Sequence, residues 1–309
     1  MATSYTENPS NISDIMQYVL ADTSRCVQEI LLAEKCFFYD TCAFRNHANL
    51  EHSEFLLEFI QRKKGIVIIT RTVIMELASS SGSLNVEYID YLKKMYQYGL
   101  KILVIYEEDV FDVLSQCFTS NARINEQLDV AVKVVKSATG TISDVYKSDK
   151  QLRADIMSDN NTDSTLFARF FSAVRGNKVS GDNLGEEMIA ICIHLLSNIP
   201  EYHEYKHIVM TEDKGAIRTI NKIWKNIWDY SAKNTVTAVT TVALVQKIYQ
   251  QNIITTKEQV EEFISNGATD GVVKILVSEE YDLEPQEKTL LCSDVADKIV
   301  TSYGMRIYY

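Results

Sequence analysis

Acidic side chains stand at four separated places in this chain, each at the end of an apolar run or the start of a helical one. The run "KCFFYD" (35–40) ends in Asp40, and "GIVIIT" (65–70) leads into "RTVIMELAS", which places Glu76 one turn inside a helix. The segment "SGDNLGEEMIAICIHLL" opens a helix with Asp182, Glu186 and Glu187 in or just before its first turn. The run in "HIVMTEDKGAIRTI" (207–220) stops at Thr211, Glu212 and Asp213. Taken singly, each acid has an ordinary explanation. Asp40 could cap a helix, Glu76 could lie on a solvated face, and Asn183 with Glu186 has capping-box spacing. Glu212 and Asp213 suit the positive N-terminus of the helix that follows. Taken together they point elsewhere. Carboxylates gathered without a counterion repel and raise one another's pKa values. A protein that gathers them usually holds a hard cation, and oxygen-only ligands suit Mg²⁺ or Mn²⁺.

The gathering depends on the elements that carry the acids. Apolar runs at 35–40, 65–70, 100–106 ("LKILVIY") and 207–211 read as strands, with a weaker fifth in "NIWDY" (226–230). Between them, Phe55, Leu56, Phe59 and Ile60 have helical spacing, as do Val86, Ile89, Leu92, Met95 and Tyr96, and Met188, Ile189, Cys192, Leu195 and Leu196. Strand alternating with helix predicts an α/β fold, a three-layer α/β/α sandwich around a mostly parallel sheet. In such a sheet the strand C-termini share one edge, and ligands bind there where the strand order reverses. Residues 107–178 break the rhythm and read as a helical insertion: "FDVLSQCF", "INEQLDVAVKVVKSATGTISDVYK" and "DSTLFARFFSAVR". The segments 237–252 and 256–266 read as two helices, the second with a capping box from Thr256 to Gln259. The expected organisation is a discontinuous core of 28–106 and 179–268, a helical extension 1–27, the insertion 107–178 and an appendage 269–309. In that appendage "VVKILV" is strand-like and "SDVADKIVTSY" is amphipathic.

Composition narrows the function. The chain has 309 residues, 46% hydrophobic and 24% charged, and a net charge of −11. A protein that grips nucleic acid mainly through Lys and Arg would be basic, so any such binding must be local, metal-assisted or helped by a partner. The six cysteines are scattered without a CxxC pair, which argues against a zinc site and suits reduced thiols. The opening "MATSYTENPSNISD" has no basic n-region followed by an apolar stretch, and no apolar run is long enough to span a bilayer. The expectation is a cytoplasmic protein with no membrane partner.

Four of these segments resemble, in order, the motifs of PIN-domain nucleases, in the branch with a Gly-Glu third motif. "FFYDTCAF" looks like the opening strand and its first acid, and "IVIITRTVIMELA" is similar to the second motif. "LGEEMIAICIHLL" looks like the Gly-Glu helix, and "HIVMTEDKGAIRTI" resembles the strand ending in Thr-x-Asp. The segment from 237 to about 267 is similar to that branch's C-terminal helix pair. The resemblance implies a Mg²⁺- or Mn²⁺-dependent endoribonuclease that leaves 5′-phosphate and 3′-hydroxyl ends. It implies that Asp40, Glu76, Glu186 and Asp213 are catalytic metal-binding acids, with Thr211 and Glu212 in support. Glu187 competes with Glu186, because "GEE" leaves the register open by one and the two side chains point about 100° apart on a helix. The insertion and the tail have no counterpart in a minimal PIN domain.

Substrate contacts follow from the same picture. Lys214, Arg218, Lys222 and Lys225 fall at steps of four, four and three, on one helix face. Beside the acids, Lys214, Arg218 and Lys222 could guide an RNA backbone, single-stranded or structured; the competing reading is a solvated face. Arg45, Asn46 and His47, just after Asp40, are further substrate-contact candidates, Arg45 for RNA. The aromatic stripe Phe167, Phe170 and Phe171 is expected in the insertion's core. Further expectations are a toxin or defence role and a regulatory protein partner or homo-oligomer. The alternative is a catalytically inactive PIN-like module acting in protein–protein or RNA binding.

Overall fold

A computed structural model describes residues 5–136, 140–199, 206–226, 236–266, 268, 270–279, 282, 284–301 and 305–308. Along the chain run α1 (Thr23–Leu32), β1 (Lys35–Tyr39), α2 (Thr41–Ala48), α3 (Glu54–Arg62), β2 (Gly65–Thr70), α4 (Arg71–Leu77), α5 (Val86–Gln97) and β3 (Ile102–Ile105). The insertion holds α6 (Val110–Ser115), α7 (Asn121–Val135), α8 (Thr141–Ser148), α9 (Lys150–Ile156) and α10 (Leu166–Gly176). Then come α11 (Leu184–Leu196), β4 (His207–Met210), α12 (Lys214–Asn226), β5 (Val236–Val239), α13 (Thr241–Gln250) and α14 (Lys257–Ser265). The tail forms β6 (Val272–Ser278), β7 (Gln286–Leu291), α15 (Cys292–Thr301) and β8 (Arg306–Ile307).

The first five strands make one parallel sheet in the order β3-β2-β1-β4-β5. Their near-continuous apolar runs are those of strands covered on both faces. Alternation along β1 sorts the layers. Phe37 meets Phe59 of α3 at a ring separation of 6.4 Å, and Tyr39 meets Phe44 of α2 at 5.4 Å and Tyr91 of α5 at 6.3 Å, all edge-on. On the opposite face α1, α6, α11 and α12 pack in succession. The expected α/β/α sandwich is therefore present. The winding reverses between β1 and β4, which opens a crevice at the C-terminal ends of those two strands. The outer side of β3 is covered by Leu20, which accepts from Val104 N–H at 2.9 Å and donates to the Ile102 carbonyl at 2.8 Å.

Two expectations change. The segment 237–252 is not one helix: Val236–Val239 pairs with β4 as the edge strand, and Thr240 then caps α13, its hydroxyl accepting from Ala243 N–H at 3.3 Å. The β-branched Val-Thr-Ala-Val run fills the open edge of β4, whereas helical spacing continuing through Leu244 and Val245 hid the break. The weak strand read at 226–230 begins on the last residue of α12, and 227–230 lie outside the described residues. Helix α1 runs across residue 27, where the N-terminal extension was expected to stop; residues 1–4 of that extension lie outside the described residues.

The insertion is helical as expected, but it does not stand off from the core. Its α7 packs on α11 and α12, and Phe167, Phe170 and Phe171 are buried. The tail adds a small antiparallel sheet, β7-β6-β8, of which β7 and β8 were not anticipated. Gln246 of α13 ties it down, donating to the Met305 carbonyl at 2.7 Å and accepting from Ile307 N–H at 3.0 Å. None of the six cysteines forms a disulfide.

Gly65 opens β2 where a Cβ would lie 2.7 Å from Phe37 Cδ2 and 3.2 Å from Ile60 Cγ2. Both neighbours are fully buried, so neither can withdraw. Gly65→Ala is expected to cost about 1–3 kcal/mol through overpacking. Urea denaturation should show a lower midpoint with an unchanged slope.

Candidate functional site

The crevice between β1 and β4 holds Asp40, and hydrogen bonds fix it from three sides. Thr211, first residue after β4, donates its hydroxyl to Asp40 Oδ2 at 2.7 Å. Thr41 N–H, at the start of α2, donates to Oδ1 at 2.6 Å, and the Cys42 thiol donates to Oδ2 at 2.7 Å. Asp40 is thus also the N-cap of α2, and the ordinary reading and the site reading coexist. Cys42 Sγ in turn accepts from Glu212 N–H at 3.3 Å. Composition offered no reason to single out Cys42; only its place two residues after Asp40 could have done so.

Glu76 reaches the same crevice from α4. Its carboxylate accepts from Gly185 N–H at 3.2 Å and from the Thr41 hydroxyl, and pairs with Lys178 Nζ at 2.8 Å. A Cβ on Gly185 would lie 2.6 Å from Glu76 Oε2, so the missing side chain makes the slot that this carboxylate fills. The glycine of "LGEE" therefore has a steric purpose at the opening of α11. Lys178, buried in the segment leading to α11, also pairs with Asp182. Burial opposes its charge, but Glu76 and Asp182 prevail and raise its pKa. Asp182, which also accepts from the Thr141 hydroxyl at 2.5 Å, is correspondingly held low against its own burial. Lys178 was not anticipated, because nothing local marks a lysine ten positions before α11's second turn as a partner of Glu76.

On α11 the two adjacent acids have different surroundings. Glu186 lies in the field of Asp40, Glu76 and Asp213; burial first, then those charges, push its pKa up to about 8. Glu187, one residue on and pointing about 100° away, lines a separate depression of about 320 Å³ with Asp182 and Asn183. Asn183 makes no side-chain capping bond, so the capping-box reading of Asn183 and Glu186 is not realised. Asp40 is raised by burial and by Glu76, against the lowering effect of its donors.

After β4 the two acids part. Asp213 turns to the start of α12, accepting from Ala216 N–H at 3.1 Å and from Gly215 N–H, while its own N–H donates to Thr211 Oγ1 at 2.9 Å. Glu212 turns to α13, accepting from Thr241 N–H at 2.8 Å and from the Thr241 hydroxyl; burial raises its pKa. Glu212 thus serves the N-terminus of α13, not that of its own helix. Arg45 donates to the Glu76 carbonyl at 2.8 Å from an exposed position, and Asn46 is half-buried. His47 is buried with its ring bonded to the Tyr39 and Thr241 hydroxyls at 3.1 and 2.9 Å, so it does not face a substrate. Lys214 lies 3.5 Å from Glu287 of β7, which brings the tail sheet to the crevice rim, and Arg218 is exposed. The side chain of Lys222 lies outside the described residues.

The charges of Asp40, Glu76 and Asp213 thus act on Glu186, while Glu187 borders the depression beside Asp182 and Asn183. Yet among the described residues no three His, Cys, Asp or Glu side chains close on a single point as a finished metal cage. The reason is visible in the partners. Asp40 is drawn to Thr211 and Cys42, Glu76 to Lys178, and Asp213 to α12, as mutually repelling carboxylates must be. Compared with family models, curated proteins and solved structures, the chain finds no match in any of the three. The likeness to PIN-domain nucleases accordingly rests on this chain's own residues. In donor type and in mutual repulsion those residues suit a hard divalent cation, with Gly185 leaving the room in which Glu76 is held.

Two consequences can be measured. Glu186 has an ordinary value of 4.5 and a folded value of about 8. The folded chain then holds this proton more tightly than the unfolded one. Its contribution to stability is intact below pH 4.5 and is lost as pH rises to about 8. Glu186→Gln should melt above the parent at pH 8.5, with the gap closing toward pH 4.5; a gap independent of pH would assign the effect to packing. Separately, Gly185→Ala should displace Glu76. Calorimetry should show Mn²⁺ binding weakened about ten-fold or more, with the far-UV spectrum unchanged.

Proposed function

We propose that this chain is a Mg²⁺- or Mn²⁺-dependent endoribonuclease of the PIN-like type. The observation that carries the reading is the crevice at the β1–β4 switch point. There, acids from four separated segments meet: burial and the charges of Asp40, Glu76 and Asp213 raise the proton affinity of Glu186, and burial and Glu76 raise that of Asp40. A divalent ion bound among them supplies Lewis acidity toward a phosphodiester. Asp40, Glu76, Glu186 and Asp213 are the residues that would hold it.

The chain's own groups have distinct tasks in this reading. Thr211 and Cys42 keep Asp40 in one orientation. Gly185 and Thr41 hold Glu76 in its slot. Glu186, raised to about 8 by burial and its acidic neighbours, would give up its proton to serve as a carboxylate ligand when the divalent ion binds. Arg45, bonded to the Glu76 carbonyl, and Lys214 and Arg218 of α12 would meet the flanking backbone of the RNA. No described helix is long and apolar enough to cross a membrane, and we read the protein as cytoplasmic.

One observation favours the other reading, a catalytically inactive module. Glu76 already has a buried cation in Lys178, and the acids do not close on one point. A single experiment separates the two. Single-stranded RNA incubated with the protein and Mn²⁺ should be cut, with EDTA abolishing cleavage. Asp40→Asn should slow it on the order of a hundred-fold or more, the scale of losing a charge-stabilising group. Equal, background-level products from parent and variant would leave the inactive module standing.

A further inference from the structure

The helical insertion carries a basic pocket that the acid crevice does not use. A cavity of about 520 Å³ is lined by Lys133, Lys136, Ser143, Tyr146, Lys147 and Arg153, from α7, α8 and α9. Its wall is Tyr146, a buried ring with Lys136 Nζ 4.0 Å from its centroid and the Arg153 guanidinium at 5.7 Å. In a chain of net charge −11 this concentration of cations is local. An ordinary reading exists: each cation lies at or near a helix C-terminus and offsets its partial negative charge. Asp129 also pairs with Lys133 at 2.5 Å. That reading does not explain why three helix ends converge on one cavity. Nor does it explain why Lys136 and Arg153 are held over an aromatic ring, with neither in an ion pair among the described residues.

The pocket is coupled to the crevice by a short chain of contacts. Thr141, first residue of α8, donates to Asp182; Asp182 holds Lys178, and Lys178 holds Glu76. Tyr146 lies five residues further along α8, roughly 7.5 Å by helix rise.

We propose that this pocket is a phosphate subsite of the insertion, holding the backbone of a single-stranded RNA outside the scissile position. The inference rests on the nuclease reading for its biological sense, but its test does not. Binding of a fluorescently labelled single-stranded RNA is measured by anisotropy in EDTA, where nothing is cleaved. The Lys136→Gln/Arg153→Gln double variant should bind about ten-fold more weakly at low salt. The slope of log affinity against log salt should be shallower by about one to two. Lys136→Arg, which keeps the charge, should bind like the parent, and thermal melting of the double variant checks that the fold is kept. In Mn²⁺ the double variant should raise KM and leave kcat unchanged. Unchanged affinity and slope in a folded double variant overturn the subsite, as does a parent that binds no RNA at low salt. The two readings fail separately. Loss of binding in the double variant while the parent cuts no RNA keeps the subsite and ends the nuclease. Cleavage by a double variant that binds like its parent does the reverse.

Discussion

Too many carboxylates occupy one poorly hydrated crevice, and the local structure is the set of ways in which their charge is met. Asp40 is met by neutral donors: a hydroxyl, a thiol and a backbone N–H. Glu76 is met by a buried ammonium. Asp213 is met by the first N–H groups of α12. Glu186 accepts from its own backbone N–H and is otherwise left to burial and to three acidic neighbours, so its charge is suppressed by a proton. Helix caps, a glycine slot and a buried lysine, which would look unrelated on separate helices, answer one electrostatic demand.

That demand also explains why the insertion belongs to the site. Its last helix, α10, is anchored by Arg175, whose guanidinium lies buried between Glu107, Glu108 and Glu7 and over the Tyr106 ring at 5.1 Å. Glu107 in turn accepts from Thr72 N–H at 2.9 Å, so the network touches the start of α4, the helix that carries Glu76. Buried ion pairs offset their desolvation only with good geometry and further hydrogen bonds, and this one has both. Lys178 follows directly and enters the crevice from a fixed position. The insertion is therefore continuous with the core in packing and in charge, although it interrupts the strand–helix rhythm.

The fold was largely legible because parallel strands buried on both faces are short, apolar and rich in β-branched or aromatic residues. The runs at 35–40, 65–70, 100–106 and 207–211 satisfy that rule, and each became a strand within a residue or two. The edge strand β5 escaped because an edge needs only half the burial, and Val-Thr-Ala-Val is compatible with either state until β4 lies beside it. The long helical reading from 124 to 147 divided into α7 and α8 at the polar Lys136–Gly140 stretch, of which residues 137–139 lie outside the described residues.

For the site, residue types and local spacing determined that acids would follow strand ends. This holds because a parallel sheet puts all its strand C-termini on one edge, whatever the loops do. They did not determine which acid of each adjacent pair would face inward. The surroundings of Glu186 and Glu187, and of Glu212 and Asp213, differ through helix rotation and through which neighbouring N-terminus offers donors. Lys178, Cys42 and Thr41 became partners only in three dimensions, since each meets a carboxylate whose surroundings come from another part of the chain. Sequence carries the donors and the acids; tertiary packing alone sets the distances over which their charges act.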